Sequence, residues 1–128
     1  MSELRKILII DDEEFIRESL GDHFEDRGWV VCTAESGEAA LMLMETVHPD
    51  ACLVDVRMGG MDGDTFVSMA SEKFSGPVYA IYTGSPEYAL PAEFRNLRHI
   101  LTEPIRKPVQ DMDKLVGIIA DLIDRNCN

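Results

Sequence analysis

The chain has 128 residues, of which 45% are hydrophobic, a size that fits one globular domain with one core. Its 24 acidic and 12 basic side chains give a formal net charge of -12, which argues against direct binding to nucleic acid or to an anionic membrane. The charged N-terminus is followed by an apolar run too short for a signal peptide or a membrane span, so a cytoplasmic location is expected.

The first third of the chain predicts a strand, a helix and a second strand. Residues 7–10 are continuously apolar, which is typical of a strand buried on both faces. Residues 11–27 predict a helix ended by Gly28, because apolar side chains recur there at four-residue spacing: Ile16, Leu20 and Phe24. Residues 29–33 predict the second strand.

The middle of the chain repeats this alternation. Ser36 is a typical N-cap for a second helix, which Pro49 follows. Residues 51–54 predict a third strand that ends on Asp55. A glycine-containing loop leads to a third helix, whose apolar positions are Phe66, Met69, Ala70 and Phe74. Residues 78–82 then predict the fourth strand.

The last third is less regular. Ser85-Pro86 predicts the start of a short fourth helix, since proline is tolerated in the first turn. The fifth strand is expected somewhere within residues 100–106. The fifth helix is indicated by apolar side chains at three- and four-residue spacing: Met112, Leu115, Val116, Ile119, Leu122 and Ile123.

Five strands alternating with five helices predict an α/β fold, a doubly wound parallel sheet with helices on both faces. In the flavodoxin-like strand order 2-1-3-4-5, the first and third strands are neighbours at the switch point, where ligands bind at the carboxyl ends of strands. Asp11 and Asp12 end the first strand and Asp55 ends the third. The three carboxylates are therefore expected to converge.

Converging carboxylates repel one another, and a divalent cation relieves the repulsion. An all-oxygen site with few protein ligands suits Mg²⁺. A simpler interpretation is that Asp11 and Asp12 only cap the first helix, but it leaves Asp55 unexplained. Thr83 follows the fourth strand and Lys107 comes near the end of the fifth, so a hydroxyl and an ammonium would join the same edge. Together these groups are typical of phosphoryl transfer.

Four motifs resemble the response-regulator receiver domain of two-component signalling, and the similarity covers nearly the whole chain. They are Ile7-Leu8-Ile9-Ile10-Asp11-Asp12-Glu13, the stretch Leu53-Val54-Asp55-Val56-Arg57-Met58-Gly59-Gly60-Met61-Asp62-Gly63, Tyr82-Thr83-Gly84 and Lys107-Pro108-Val109.

The resemblance implies a role for each residue of the cluster. Asp55 would be the phosphoacceptor and become 4-aspartylphosphate. Asp12 and Asp55 would bind Mg²⁺ directly with the backbone carbonyl of Arg57, and Asp11 would act mainly through a metal-bound water. Thr83 would hydrogen-bond the phosphoryl group, and Lys107 would pair with it.

The resemblance also implies a signalling switch rather than a metabolic enzyme, although a receiver catalyses its own phosphorylation and dephosphorylation. The donor would be a phosphohistidine on a sensor histidine kinase or a histidine phosphotransfer protein. Phosphorylation would alter the surface around the fourth helix, fifth strand and fifth helix, which would contact an unknown downstream protein. A phosphorylation-dependent homodimer is compatible with the family. Residues 1–128 would form a single receiver domain with no output domain in this chain.

The sequence departs from the family pattern near the lysine. One alignment of the fifth strand keeps Lys107 after a longer connection, and another puts Glu103 in its place; we prefer Lys107, because a glutamate would repel a phosphoryl group. The family's aromatic residue three positions before the lysine would be Pro104 or Ile100. Gly59 stands where the family usually has proline, which leaves the loop after Asp55 freer.

Two other functions are compatible with parts of the pattern. Haloacid-dehalogenase-type phosphatases also use an Asp nucleophile with Mg²⁺, but their signature is Asp-x-Asp rather than the adjacent Asp11-Asp12 found here. A receiver fold that no longer takes phosphate would serve only as an interaction module, and the ambiguity over the lysine keeps that alternative open.

Overall fold

The computed structural model describes residues 4–127. Strands and helices alternate along the chain in this order: β1 Lys6–Ile10, α1 Glu14–Asp26, β2 Val30–Ala34, α2 Gly37–Leu43, β3 Ala51–Asp55, α3 Gly63–Lys73, β4 Val78–Thr83, a 3₁₀ helix Ala92–Phe94, β5 Ile105–Arg106 and α4 Met112–Arg125. No helix among these residues is both long and apolar enough to span a bilayer.

The five strands form one parallel sheet in the order β2-β1-β3-β4-β5, which confirms the predicted flavodoxin-like arrangement. Ile10, the last residue of β1, pairs with Val54 of β3. Asp11 and Asp55 follow these two partners, so the sheet register brings them to the same edge.

Two hydrophobic layers cover the two faces of the sheet. Successive strand residues point to opposite faces, so β1 divides between the layers, with Leu8 and Ile10 in one and Ile7 and Ile9 in the other. The first layer packs under α2 and α3, and the second packs under α1 and α4. Every residue of β3 and β4 is buried, as a central parallel strand requires.

Side-chain caps fix the starts of three helices. Ser36 was predicted to cap α2, and its hydroxyl accepts a 3.0 Å hydrogen bond from the backbone N–H of Ala39. Asp62 caps α3 and Asp111 caps α4 in the same way. In contrast, α1 begins three residues later than predicted, at Glu14, and Asp11 and Asp12 remain in the loop before it.

The prediction of a helix from Ser85 is wrong. Residues 84–91 form no helix, and the short 3₁₀ turn Ala92–Phe94 is the one helical element described between β4 and β5. Pro86 and Pro91 enclose only four residues, and proline disfavours helical backbone at the residue before it. So short a stretch cannot repay the cost of helix nucleation. The described chain therefore has four α-helices instead of five.

The fifth strand explains why two alignments of the lysine were possible. Ile100 bridges to Tyr79, and Ile105 then pairs with Tyr82. Three steps along β4 thus correspond to five steps along the edge segment, so two extra residues bulge out between Leu101 and Pro104. Glu103 lies exposed in this bulge, and β5 resumes directly before Lys107.

Candidate functional site

Three carboxylates meet at the carboxyl ends of β1 and β3. Asp11, Asp12 and Asp55 each offer an oxygen atom within 4.8 Å of the others. Asp11 and Asp55 are only 1% and 6% exposed, whereas Asp12 is exposed to solvent. The structure therefore brings together the three acidic residues that the sequence singled out.

Local hydrogen bonds hold Asp11 in place. Its Oδ1 accepts a 2.9 Å hydrogen bond from the backbone N–H of Glu13, and its carbonyl oxygen accepts one of 2.7 Å from the Arg17 guanidinium. Its backbone N–H donates to the carbonyl of Ala34 in β2. The carboxylate is thus oriented by the turn into α1 and is buried at the sheet edge.

A glycine sets the distance between Asp55 and α3. A Cβ atom on Gly63 would lie 2.5 Å from the carbonyl oxygen of Asp55, closer than such atoms approach in proteins. The Gly63 N–H also donates to the carbonyl of Val56 at 2.9 Å. The first residue of α3 therefore packs directly on the end of β3, as only a residue without a side chain can.

Lys107 supplies the ammonium that pairs with the acidic cluster. Its Nζ lies 3.1 Å from Asp11 Oδ2 and 3.4 Å from Asp55 Oδ1, and it also lies 4.8 Å from the centre of the Tyr82 ring. Its backbone N–H donates to the Thr83 carbonyl at 2.8 Å, which aligns the ends of β4 and β5. Lys107 is therefore the lysine at the acidic cluster, and Glu103 is in the bulge.

Burial and neighbouring charges shift the pKa values of Asp55 and Lys107. Burial and the neighbouring charge of Asp11 raise the pKa of Asp55, and Lys107 and the Arg57 backbone only partly oppose them. Burial alone would lower the pKa of Lys107, but the charges of Asp55 and Asp11 outweigh burial and raise it. The carboxylates thus exceed the positive charge that the protein provides.

An open cavity of about 530 Å³ lies over the cluster. It is lined by Asp12, Glu13, Asp55, Arg57, Thr83, Gly84, Ser85, Pro86, Glu87 and Lys107. Thr83 is buried, and its hydroxyl accepts a 3.0 Å hydrogen bond from the Ser85 N–H. Glu13 and Glu87 were not predicted as lining residues, although Glu13 directly follows the first acidic pair and Glu87 follows Ser85 by two positions.

The residues present fit a hard divalent cation. Three carboxylates converge against one ammonium, and an oxygen-only donor set that opens onto a cavity leaves room for water ligands, as Mg²⁺ prefers. Burial first, and the charge of Asp11 second, raise the pKa of Asp55, and a bound cation would oppose both effects.

Comparison with protein families supports the same interpretation. Residues 7–120 match the family model described as the response regulator receiver domain. A protein-glutamate methylesterase/protein-glutamine glutaminase 2 from Oleidesulfovibrio alaskensis is 37% identical over 105 residues, which cover 80% of this chain and 29% of that protein. The positive alginate biosynthesis regulatory protein of Pseudomonas aeruginosa is 32% identical over 78% of this chain and 42% of its own length. The chain thus spans less than half the length of these curated relatives.

Solved structures with this fold cover nearly the whole chain. A CheY-like response regulator receiver domain protein from Methanospirillum hungatei has a TM-score of 0.83 at 25% identity, covering 96% of both chains. A response regulator receiver domain protein from Clostridium thermocellum has a TM-score of 0.81 at 27% identity, covering 96% of this chain and 97% of the other.

Proposed function

Because this chain belongs to the response regulator receiver domain family, we propose that it is a phosphorylatable switch in which Asp55 is the phosphoacceptor. The observation that carries the proposal is the convergence of Asp11, Asp12 and Asp55 with the Lys107 ammonium at the ends of neighbouring strands. Asp55 is the central carboxylate, since it lies on β3, lines the cavity and faces Lys107.

The same cluster would hold Mg²⁺. Asp12 and Asp55 would bind it directly with the backbone carbonyl of Arg57, and Asp11 would act mainly through a bound water. When bound, the cation offsets the negative charge of the carboxylates and of the entering phosphoryl oxygens.

Asp55, Lys107 and Thr83 have different roles in the transfer of the phosphoryl group. An Asp55 carboxylate oxygen attacks the phosphorus atom of a phosphohistidine in line, the new O–P bond forms, and the P–N bond breaks. The departing imidazole takes its proton from solvent. Lys107 pairs with the transferred phosphoryl oxygens, and the Thr83 hydroxyl donates a hydrogen bond to one of them. Attack by water on the acyl phosphate returns Asp55 and inorganic phosphate, which resets the switch.

The partner that supplies phosphate would be a sensor histidine kinase or a histidine phosphotransfer protein in the cytoplasm. The receiver catalyses its own phosphorylation and dephosphorylation and passes the signal to a downstream protein by a change in shape. Since the predicted fourth helix is absent, the surface that changes consists of residues 84–96 with β5 and α4. A phosphorylation-dependent homodimer is one form that this output can take.

Intact-protein mass after treatment with acetyl phosphate and Mg²⁺ tests the proposal. The wild-type protein should gain a single phosphoryl group that is lost on hydrolysis, and Asp55→Asn should gain none while keeping its fold. Circular dichroism of the variant provides the control for folding. Equal labelling of Asp55→Asn and wild type would contradict the assignment of Asp55.

A further inference from the structure

Residues 84–90 are irregular, have few hydrogen bonds of their own and contribute one wall of the site cavity through residues 84–87. The one backbone hydrogen bond within the segment runs from the Tyr88 N–H to the Ser85 carbonyl and is long, at 3.4 Å. Gly84, Ser85, Pro86 and Glu87 of this segment all line the cavity. Contacts with other elements must therefore determine its position.

The first contact comes from β5. The Arg106 guanidinium donates to the Ser85 carbonyl at 2.7 Å and to the Tyr88 carbonyl at 3.0 Å. One planar group thus joins the two ends of a four-residue stretch, Ser85 to Tyr88, through two donors whose separation is fixed. Arg106 pairs with Thr83 in the sheet and directly precedes Lys107, so its backbone is continuous with the site.

The second contact comes from α3. The Tyr88 phenol donates a 2.7 Å hydrogen bond to Asp64 Oδ1 in the first turn of that helix. Asp64 follows Gly63, which packs on the Asp55 carbonyl oxygen. The segment is therefore attached on one side to the lysine strand and on the other to the element that contacts the phosphoacceptor.

We propose that these two contacts, Arg106 with the carbonyls of Ser85 and Tyr88 and Tyr88 with Asp64, form a latch that is closed without phosphate and opened by phosphorylation of Asp55. The proposal rests on the proposed function of Asp55. The latch residues would carry the change from the site to the surface. The aromatic residue that the family usually has three positions before the lysine is replaced by Pro104 here.

Geometry supports an opening rather than a tightening. The Thr83 hydroxyl accepts from the Ser85 N–H, and Lys107 divides its contacts between Asp11 and Asp55. A phosphoryl group on Asp55 draws both side chains toward it, which displaces Ser85 and the end of β5. Tyr88 is held to α3 and cannot follow without breaking a latch contact.

This arrangement predicts the direction in which latch variants change the affinity for a phosphoryl analogue. Contacts made only in the unphosphorylated state oppose phosphorylation, so weakening them favours the phosphorylated state. Loss of the latch should therefore improve binding of a phosphoryl analogue, whereas loss of a contact that merely supports the fold should impair it or leave it unchanged.

Four variants test the latch. Arg106→Gln removes the guanidinium, Tyr88→Phe removes only the phenol hydroxyl, and Arg106→Lys keeps the charge but lacks the fixed fork of the guanidinium. Arg98→Gln is the matched control, because Arg98 is exposed and donates to the carbonyl of Arg125, outside the segment. Hydrogen exchange of residues 84–90 and the affinity for beryllofluoride in the presence of Mg²⁺ are measured for each full-length chain.

In the absence of beryllofluoride, Arg106→Gln and Tyr88→Phe should exchange the amides of Ser85 and Tyr88, which donate hydrogen bonds in this segment, roughly tenfold faster than wild type. Both should bind beryllofluoride roughly fivefold more tightly, Arg106→Lys should be intermediate, and Arg98→Gln should match wild type. Beryllofluoride should accelerate exchange of residues 84–90 in wild type and add little in Arg106→Gln.

Weaker or unchanged beryllofluoride binding in both Arg106→Gln and Tyr88→Phe would overturn the latch while leaving the proposed function intact. Unchanged exchange of residues 84–90 in wild type on binding would do the same. Failure of the wild-type protein both to bind beryllofluoride and to take a phosphoryl group would instead overturn the proposed function, and the latch with it.

Discussion

At the residue scale, the site is built at a cost to stability. Asp55 is buried beside Asp11, and Lys107 does not fully offset their repulsion, so the pKa of Asp55 lies above its ordinary value. A carboxyl whose pKa is raised by folding stabilises the folded state only where it is protonated, and that contribution is lost as the pH rises through the folded pKa. Above its folded pKa, the ionised Asp55 therefore weakens the fold.

Asp55→Asn should consequently raise the free energy of unfolding at pH 7 without Mg²⁺, by on the order of 1 kcal/mol. The gain should shrink as the pH falls below the ordinary carboxyl range, where Asp55 is protonated in both states of the wild type. Urea unfolding at both pH values measures the effect. Asp22→Asn, an exposed change in the middle of α1, is the control and should stay within about 0.5 kcal/mol of wild type. A variant less stable than wild type at pH 7 would contradict this account.

Most of the site residues could be predicted from sequence because each lies at the carboxyl end of a strand or directly after it. Asp11, Asp12, Asp55 and Thr83 are placed by strand order alone, since the carboxyl ends of neighbouring parallel strands meet. The side chains that reach across from elsewhere could not be predicted. Arg106 donates to the carbonyls of Tyr88 and Ser85, which lie 18 and 21 positions earlier in the chain. No sequence periodicity predicts which distant carbonyl a guanidinium contacts.

At the element scale, two glycines in helices have opposite roles. Gly63 begins α3 and lies against the Asp55 carbonyl, whereas nothing lies within 4 Å of where a side chain on Gly117 of α4 would begin. Position 63 needs glycine because a side chain would not fit. Position 117 has no such need, and glycine there only increases the conformational entropy lost on folding.

Gly63→Ala should therefore destabilise the protein by about 1–3 kcal/mol, because α3 must move away from the end of β3. Gly117→Ala should stabilise it by about 0.5–1 kcal/mol. Urea unfolding of the two variants side by side measures both changes. Similar effects of the two substitutions would show that the close approach at Gly63 does not constrain the fold.

The segments that the sequence predicted poorly share a physical cause. The sequence predicted a fifth strand somewhere within residues 100–106, but not the two extra residues that bulge out before β5. The proline at 86 favoured a helix start, whereas Pro91 ended the stretch before a helix could form. Local pattern therefore gives the type of a long element, but short segments are decided by their contacts with the rest of the molecule.

At the scale of the whole molecule, apolar runs alternating with helical periodicity predicted a parallel sheet between two apolar layers, and the strand order is that of the flavodoxin-like fold. The excess of negative charge is also a property of the whole chain. A formal charge of -12 destabilises the compact state by self-repulsion, and the acidic cluster concentrates part of that charge at one edge.

Salt and Mg²⁺ should thus stabilise the protein by two separable routes. Sodium chloride should raise the urea midpoint of wild type and Asp12→Asn alike, because it screens the net charge. MgCl₂ at the same ionic strength should raise the midpoint further in wild type only, since ligand binding to the folded state adds to stability. An equal response of both proteins to MgCl₂ would contradict a specific site at the cluster.

The position of the acyl phosphate shows directly whether Asp55 is the phosphoacceptor. Reduction with borohydride converts a phosphorylated aspartate to homoserine, which peptide mass spectrometry locates. After treatment with acetyl phosphate and Mg²⁺, the account predicts homoserine at position 55 and nowhere else. Homoserine at position 11 or 12, or a phosphorylated protein with unaltered Asp55, would contradict the account.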